Sequence, residues 1–402
     1  MPVDEHDIAE VTARLGGVTP EGVTLIPVDY AWGSPATAGL WRAEVPDTRT
    51  ADTRSFVKLL RHPRLWPQLE LIPEGPPRDF FLSTFPWRFE LDMALSGIAD
   101  VLPEGMRMPE LRHHEQFDDD HVGLWSELVD ERAGPWSTDE LRRAAYLLGR
   151  LAARRREGAD INERLPEICR QLPRGAALRY LIEGRVLVGA RAELTDDALW
   201  AHPAMVQALA ATGDLDLRTA LLDQIELALP VLGELDRLPQ TYAHGDASVQ
   251  NILVCHGEDD LIVIDWGFGS LLAVGFDLGQ LLVGAMHAGL TPASEITAID
   301  EAVFPAYLEG LADEGYAVDA DDVRFGYLGS LFARSLFTAL PADELGSGDV
   351  ADERLALLTL ERVRLTRAML DLTAPAVAAR LATSSDSSGR ATPPVSPESQ
   401  HG

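Results

Sequence analysis

The chain has 402 residues, enough to bury a large core and to divide into two lobes. Hydrophobic residues make up 46%, and 64 Asp plus Glu against 34 Lys plus Arg give a formal net charge of −30. That excess argues against nucleic acid or an anionic membrane as partner; it favours solubility and, at a binding site, a cationic ligand.

Two cysteines, Cys169 and Cys255, fit neither a metal spacing nor a disulfide framework, as in a reducing compartment. The N-terminal MPVDEHDIAEV lacks the apolar core of a signal peptide, and the most apolar stretch, LLAVGFDLGQLLVGAMHAGL, is interrupted by Asp277 and Gln280. A cytoplasmic protein without a membrane partner is expected.

Residues 1–14 suit a short helix, and 23–60 read as three strands, VTLIPV, LWRAEV and SFVKLL, the first two separated by the small-residue turn DYAWGSPATAG. Lys58, in SFVKLL, is the only lysine of the chain. A Pro-rich insert, PQLELIPEGPP, then leads to a helix opening at Pro86, in which Trp87, Glu90, Leu91 and Ala94 share one face. MRMPELRHHEQ and HVGLWSELV form a hairpin around the acidic turn FDDD. From Thr138 the pattern is mainly helical (138–157, 165–190, 196–211, 216–236, then 276–288, 293–315, 321–340 and 350–381), with one extended island at 241–266. The end, SSDSSGRATPPVSPESQHG, has the composition of disorder. The expected division is a nucleotide-binding lobe at 1–129, a helical lobe at 130–380 and a disordered tail at 381–402.

The island TYAHGDASVQNILVCHGEDDLIVIDWG holds the chemistry. Its apolar strands ILV and LIVI flank a polar turn. A turn centred on Glu258 sets Asn251 opposite Asp265 at the open end of the hairpin, with Asp246 in the loop leading into the first strand. Carboxylate and amide oxygens converging there suit Mg²⁺ with water and phosphate completing its shell. Asn251 is one of only two asparagines, with Asn162.

HGDASVQN followed by IDW and GFDL, in that order, resembles the core of the aminoglycoside phosphotransferase and choline kinase superfamily. The resemblance is sharp over 242–280 and extends in layout over roughly 20–380. It implies an α+β, two-lobed protein-kinase-like fold: a small antiparallel-sheet lobe and a large, mostly helical one. It also implies an ATP- and Mg²⁺-dependent kinase. Carried onto this chain, Asp246 is the catalytic base, and Asn251 and Asp265 are the Mg²⁺ ligands, Asp265 standing where protein kinases have the Asp of DFG. His244 and Asp277 are structural supports of the catalytic loop.

The same resemblance implies that Lys58 contacts the ATP phosphates, held by a Glu from the following helix. An ammonium is a compact point charge that a guanidinium does not replace. Glu90, on the apolar face of its helix, is the expected partner, with Glu70 and Glu74 as rivals in the insert. Gly33, Ser34 and Thr37 in the small-residue turn become phosphate contacts, and Glu127, Leu128 and Val129 the hinge that reads adenine through main-chain groups. The cluster His113, His114, Asp118, Asp119, Asp120 and His121 reads as a solvated turn rather than a metal site. The helices expected around the acceptor are acidic (Glu157, Asp160, Glu163, Asp196, Asp197, Asp223, Glu226), which suits a cationic small molecule and equally a solvated face. A Ser or Thr hydroxyl of a peptide, and a non-catalytic nucleotide-binding role, stay open as alternatives.

Overall fold

A computed structural model describes residues 3–28, 34–45, 54–165, 167, 173–347 and 352–388. Contacts divide the chain into two compact units: Met1–Gly134 with Gly158–Leu172 and His244–Gly269, and Pro135–Glu157 with Pro173–Ala243 and Ser270–Gly402. The second segment boundary differs from a simple cut at 129/130. From His244 on, the extended island joins the first unit, where its hairpin pairs with a strand from the N-terminal part.

The first unit is built on a five-stranded antiparallel sheet in the order β1–β2–β3–β6–β5. The strands are β1 (Thr24–Pro27), β2 (Thr37–Glu44), β3 (Arg54–Arg61), β5 (Leu111–Asp118) and β6 (His121–Glu127). The short β4 (Met106–Arg107) belongs instead to a second, three-stranded sheet. Alternation along β3 sends Val57 and Leu59 to one face and Lys58 and Leu60 to the other. On the first face, helix α1 (Glu5–Gly16) buries Ile8 and Val11 against Trp41, Val57, Leu59 and Trp125. The indole N–H of Trp125 donates to Thr12 Oγ1 at 2.9 Å, and that of Trp41 to Glu5 at 3.1 Å. Helix α1 begins on a capping box made by Asp4 and Asp7.

On the opposite face Leu60, Val122 and Leu124 pack with Leu91, which puts helix α3 (Phe89–Leu95) on the Lys58 side of the sheet. The insert before α3 holds a 3-10 turn at Leu69–Leu71, and its last two prolines open helix α2 (Pro76–Thr84). Pro76 and Pro77 occupy the first helical positions, where a missing N–H costs nothing and the fixed φ suits the turn. As a result α3 starts at Phe89, three residues after the expected Pro86.

The second sheet of this unit runs β4–β9–β8, with β8 (Ile252–Leu253) and β9 (Leu261–Val263) forming the antiparallel hairpin and β4 running parallel to β9. The segment after β6 joins its outer edge. His256 N–H donates to the Asp130 carbonyl (2.9 Å), Arg132 N–H donates to the Val254 carbonyl (2.8 Å), and Glu131 bridges Cys255.

The second unit is helical apart from a two-stranded ribbon of β7 (Gln240–Ala243) and β10 (Ser270–Ala273). Its helix α4 (Thr138–Arg154) crosses the helix Ile296–Asp313 at main-chain contact: a Cβ on Gly149 would lie 2.2 Å from the Tyr307 carbonyl oxygen, and one on Gly310 2.1 Å from that of Tyr146. Of the expected helix at 165–190, Glu167 is helical, and a separate helix at Ala176–Leu181 runs on into a π-helical stretch, Ile182–Ala190. The last helix, Glu353–Ser388, runs past the boundary expected at 381; residues 389–402 lie outside the described residues. Among the described residues no helix is long and apolar enough to cross a membrane.

Candidate active site

Lys58 and Glu90 form an ion pair on the α3 face of the sheet, their side chains only 14% and 22% exposed. Burial pushes the Glu90 carboxyl above its ordinary value, the Lys58 ammonium opposes that shift, and the charge of Asp265 adds to it. Asp265 therefore lies within electrostatic reach of the same pair. The two rival glutamates are elsewhere: Glu70 is exposed, and Glu74 is 88% exposed and faces Arg78.

The loop carrying Asp246 is locked by its neighbours. His244 is fully buried, its Nδ1 accepting the Asp246 N–H at 3.2 Å and its Nε2 donating to the Ile264 carbonyl at 2.9 Å. Its ring packs on Trp266 with centroids 4.6 Å apart. The Asn251 amide nitrogen donates to the Asp246 carbonyl oxygen (2.9 Å) and to its carboxylate Oδ2 (3.0 Å). Gly245 has φ +82°, and a Cβ there would meet the Phe268 carbonyl oxygen at 2.3 Å, so only glycine lets the two loops close on one another.

The hairpin register corrects one expectation. Ile252 pairs with Val263 and Ile264 N–H donates to the Asn251 carbonyl, so Asn251 stands opposite Ile264 and not Asp265. Asp265 lies beyond the strand at φ +54°, the single described non-glycine residue with positive φ. A one-residue slip of register turns side chains to opposite faces, and the left-handed backbone of Asp265 re-aims its carboxylate. Sequence spacing has no means of showing such a φ.

Of the phosphate-turn residues, Gly33 lies outside the described residues. Ser34 is exposed, its Oγ accepting the Ala36 N–H at 3.3 Å. Thr37 is buried at the start of β2. Arg61 fastens this turn: its N–H donates to the Ala36 carbonyl (2.7 Å) and its Nε to the Pro35 carbonyl (3.2 Å). At the candidate hinge, the Glu127 N–H donates to the Glu110 carbonyl at 2.9 Å, and Val129 packs on Leu253, Cys255 and Ile262 of the hairpin.

Arg107 was not singled out by sequence. Its guanidinium donates to both Glu127 oxygens at 2.8 Å and to Glu258 at 2.7 and 3.0 Å. These hydrogen bonds hold the Glu127 carboxyl below its ordinary range. A sequence signal existed only as an arginine beside a strand; its partners are 20 and 151 residues away.

The His/Asp turn is engaged locally: His113 with Glu115 and His121 with Asp118, each at 2.9 Å. Among the described residues no group of three or more His, Cys, Asp or Glu is arranged to hold a metal ion. Several acids of the second unit pair with arginines, Asp197 with Arg218 at 2.8 Å, Glu226 with Arg191 at 2.7 Å, and Glu157 with Arg174. They give little support to a cationic acceptor. Cys255 is buried and free, its thiol pushed up to about 11 by burial; Cys169 lies outside the described residues.

Residues 98–318, more than half of the chain, match the phosphotransferase enzyme family named APH. The chain belongs to the phosphotransferase enzyme family. It is a phosphotransferase with an α+β, protein-kinase-like fold. Among solved structures, an amicoumacin kinase in complex with AMP-PNP, Ca²⁺ and Ami is similar, with 14% identity over 92% of this phosphotransferase and 94% of that chain and a TM-score of 0.52. A choline kinase from Cryptosporidium parvum Iowa II is similar at 11% identity, over 96% of this phosphotransferase and 97% of that chain, with a TM-score of 0.50. At such identities the likeness speaks to fold. No curated protein sequence matches the phosphotransferase.

Proposed function

We propose that this phosphotransferase moves the γ-phosphate of ATP to a hydroxyl of a small molecule, in a Mg²⁺-dependent reaction. The observation that carries the reading is the Asn251–Asp246 hydrogen bond in the same unit as the Lys58–Glu90 pair, whose field includes Asp265. Asp246 is the base: it orients the acceptor hydroxyl and takes its proton as the acceptor oxygen bonds to the γ-phosphorus. The bond from that phosphorus to its bridging oxygen breaks, and ADP leaves. Lys58 holds the α- and β-phosphates as a point charge, and Glu90 keeps its ammonium on the sheet face where Leu60 packs with Leu91 of α3.

The donor set fits Mg²⁺. The Asn251 amide nitrogen is spent on Asp246, which leaves its carbonyl oxygen to serve as a ligand, with the Asp265 carboxylate as the second. When bound, Mg²⁺ supplies charge neutralisation at the phosphates. The Glu127 carbonyl and the Val129 N–H are the main-chain groups offered to adenine, Glu127 N–H being used by Glu110. Ser34 and Thr37, the latter at the start of β2, are the proposed phosphate contacts, with Gly33, which lies outside the described residues. The similar structures, of a choline kinase and an amicoumacin kinase, support a small-molecule acceptor.

The test is transfer of label from γ-labelled ATP to a panel of aminoglycosides, amino alcohols, sugars and hydroxyl-bearing peptides, with and without Mg²⁺ and with Asp246→Ala as control. Labelling of a small molecule that needs both Mg²⁺ and Asp246 is expected. Labelling of peptides alone would replace the acceptor class, and equal labelling by wild type and Asp246→Ala would overturn the assignment of the base.

A further inference from the structure

Arg107 sits where three strands meet. Its main chain is part of β4, in parallel register with β9, so Met106 faces Leu261 and Arg107 faces Ile262. Three residues beyond Ile262 is Asp265. The side chain leaves that strand and reaches two carboxylates. One edge grips both oxygens of Glu127, the last residue of β6; Nη2 and Nε together grip one oxygen of Glu258 in the turn between β8 and β9. Glu127 also accepts the Glu110 N–H at 3.2 Å, which fixes that end of the fork. The three side chains are 28%, 23% and 34% exposed, sheltered enough for charge-assisted bonds to hold against water. The next residues after Glu127 run into 130–132, which is hydrogen-bonded along the outer edge of the same hairpin.

We propose that Arg107 is a positioning residue for nucleotide use, fixing the segment 127–132 and the Asn251/Asp265 hairpin as one piece. This rests on the reading that Val129 meets adenine and that Asn251 and Asp265 hold the metal. The two ends of a nucleotide, base and phosphates, are then gripped by elements whose spacing Arg107 sets. Loss of the fork lets that spacing vary, and the cost falls on nucleotide binding before it falls on the transfer step. A lysine in its place keeps the charge and cannot form the two-sided fork.

The experiment compares wild type, Arg107→Met, Arg107→Lys and Glu258→Gln. Affinity for ATP with Mg²⁺ is measured by calorimetry, ATP hydrolysis gives KM and kcat with water as acceptor, and thermal melting runs in parallel. Arg107→Met is expected to weaken ATP binding and raise its KM by about tenfold, with kcat changed less than about threefold, and Arg107→Lys to recover part of the loss. A second readout needs no activity. In a Cys169→Ser background, Cys255 is buried against Leu253, Ile262 and Val129; loss of Arg107 removes a charge that favours its thiolate, so faster modification by a maleimide in Arg107→Met, with melting still cooperative, is expected from the loosened packing and not from the charge.

Unchanged ATP affinity and unchanged Cys255 reactivity would overturn the proposal, as would a fall in kcat equal to the change in KM. A wild type that binds ATP without turnover still tests the fork through affinity and labelling. A wild type that neither binds nor hydrolyses ATP overturns both the reading and the proposal, whereas normal wild-type behaviour with an indifferent Arg107→Met removes the proposal alone.

Discussion

The Asn251 amide holds the Asp246 carboxylate at 3.0 Å while bonding the carbonyl of the same residue at 2.9 Å. One side chain thus fixes the main chain and the rotamer of the candidate base together. Asn251→Ala should lower kcat by about 10²-fold or more, the range by which a misplaced base and a lost ligand act. Asn251→Asp should do so differently. Two carboxylates at that separation disfavour double ionisation, so one apparent pKa rises and the acid limb of the kcat profile moves to higher pH. A pH–rate series on both variants checks the contrast; an unmoved acid limb in Asn251→Asp would count against the pairing.

The Lys58–Glu90 pair is partly buried and single-minded about its cation. Lys58→Arg keeps the charge and changes its shape, and should lower kcat/KM for ATP by roughly 10²-fold with the melting temperature within a few degrees. Near-normal turnover would return Lys58 to the status of a compositional accident.

Glu90 also gives a stability prediction with a definite sign. Its carboxyl is raised above 4.5 in the fold, mainly by burial. Where the folded pKa exceeds the unfolded one, the folded state holds a proton that the unfolded state has lost, and stability falls as pH rises through that window. Glu90→Gln removes this term. The stability of wild type minus that of Glu90→Gln should therefore decline as pH is raised from about 4.5 through the raised pKa. Denaturant titrations across that range give the slope, and a difference that grew with pH would contradict the shift.

Gly245 admits no side chain, since a Cβ would stand 2.3 Å from the Phe268 carbonyl oxygen and φ is +82°. Gly245→Ala should cost about 2 kcal/mol or more in stability and reduce turnover through displacement of Asp246. Equilibrium unfolding and kcat measured together test this, and an alanine variant of normal stability would show that the loops part easily.

Ile8 is fully buried between α1 and the sheet, against Trp41 and Trp125. Ile8→Ala should destabilise by about 2–5 kcal/mol. Because that core lies on the face of β3 opposite Lys58, KM for ATP at a temperature where the variant is folded should stay close to wild type. A large KM change would mean that α1 supports the site as well as the fold.

Much of this was legible from residue order. The three strands, the β5–β6 hairpin and the HGD loop followed from alternation and a motif whose members are close in sequence, and the Lys58–Glu90 pair from the family resemblance with helical periodicity choosing the glutamate. What was not legible has common causes. The hairpin register depends on a turn half a residue away from the assumed centre, and Asp265 depends on a backbone angle, neither of which leaves a mark in composition. Helix α2 was obscured by prolines that read as breakers but sit at a helix start. Arg107 is one arginine among 33, and only the pairing of β4 with β9 brings it to Glu127 and Glu258.

The backbone of Asp265 sets endurance and work against each other at one position. Every other described residue with positive φ is a glycine, which adopts that conformation freely. At 265 the chain carries a residue that costs of order 1 kcal/mol there. A version of this protein shaped for heat resistance alone would have glycine at 265: Asp265→Gly should melt higher than wild type and transfer no phosphate. The aspartate is a standing charge against robustness, kept where the proposed function needs an oxygen toward the phosphates.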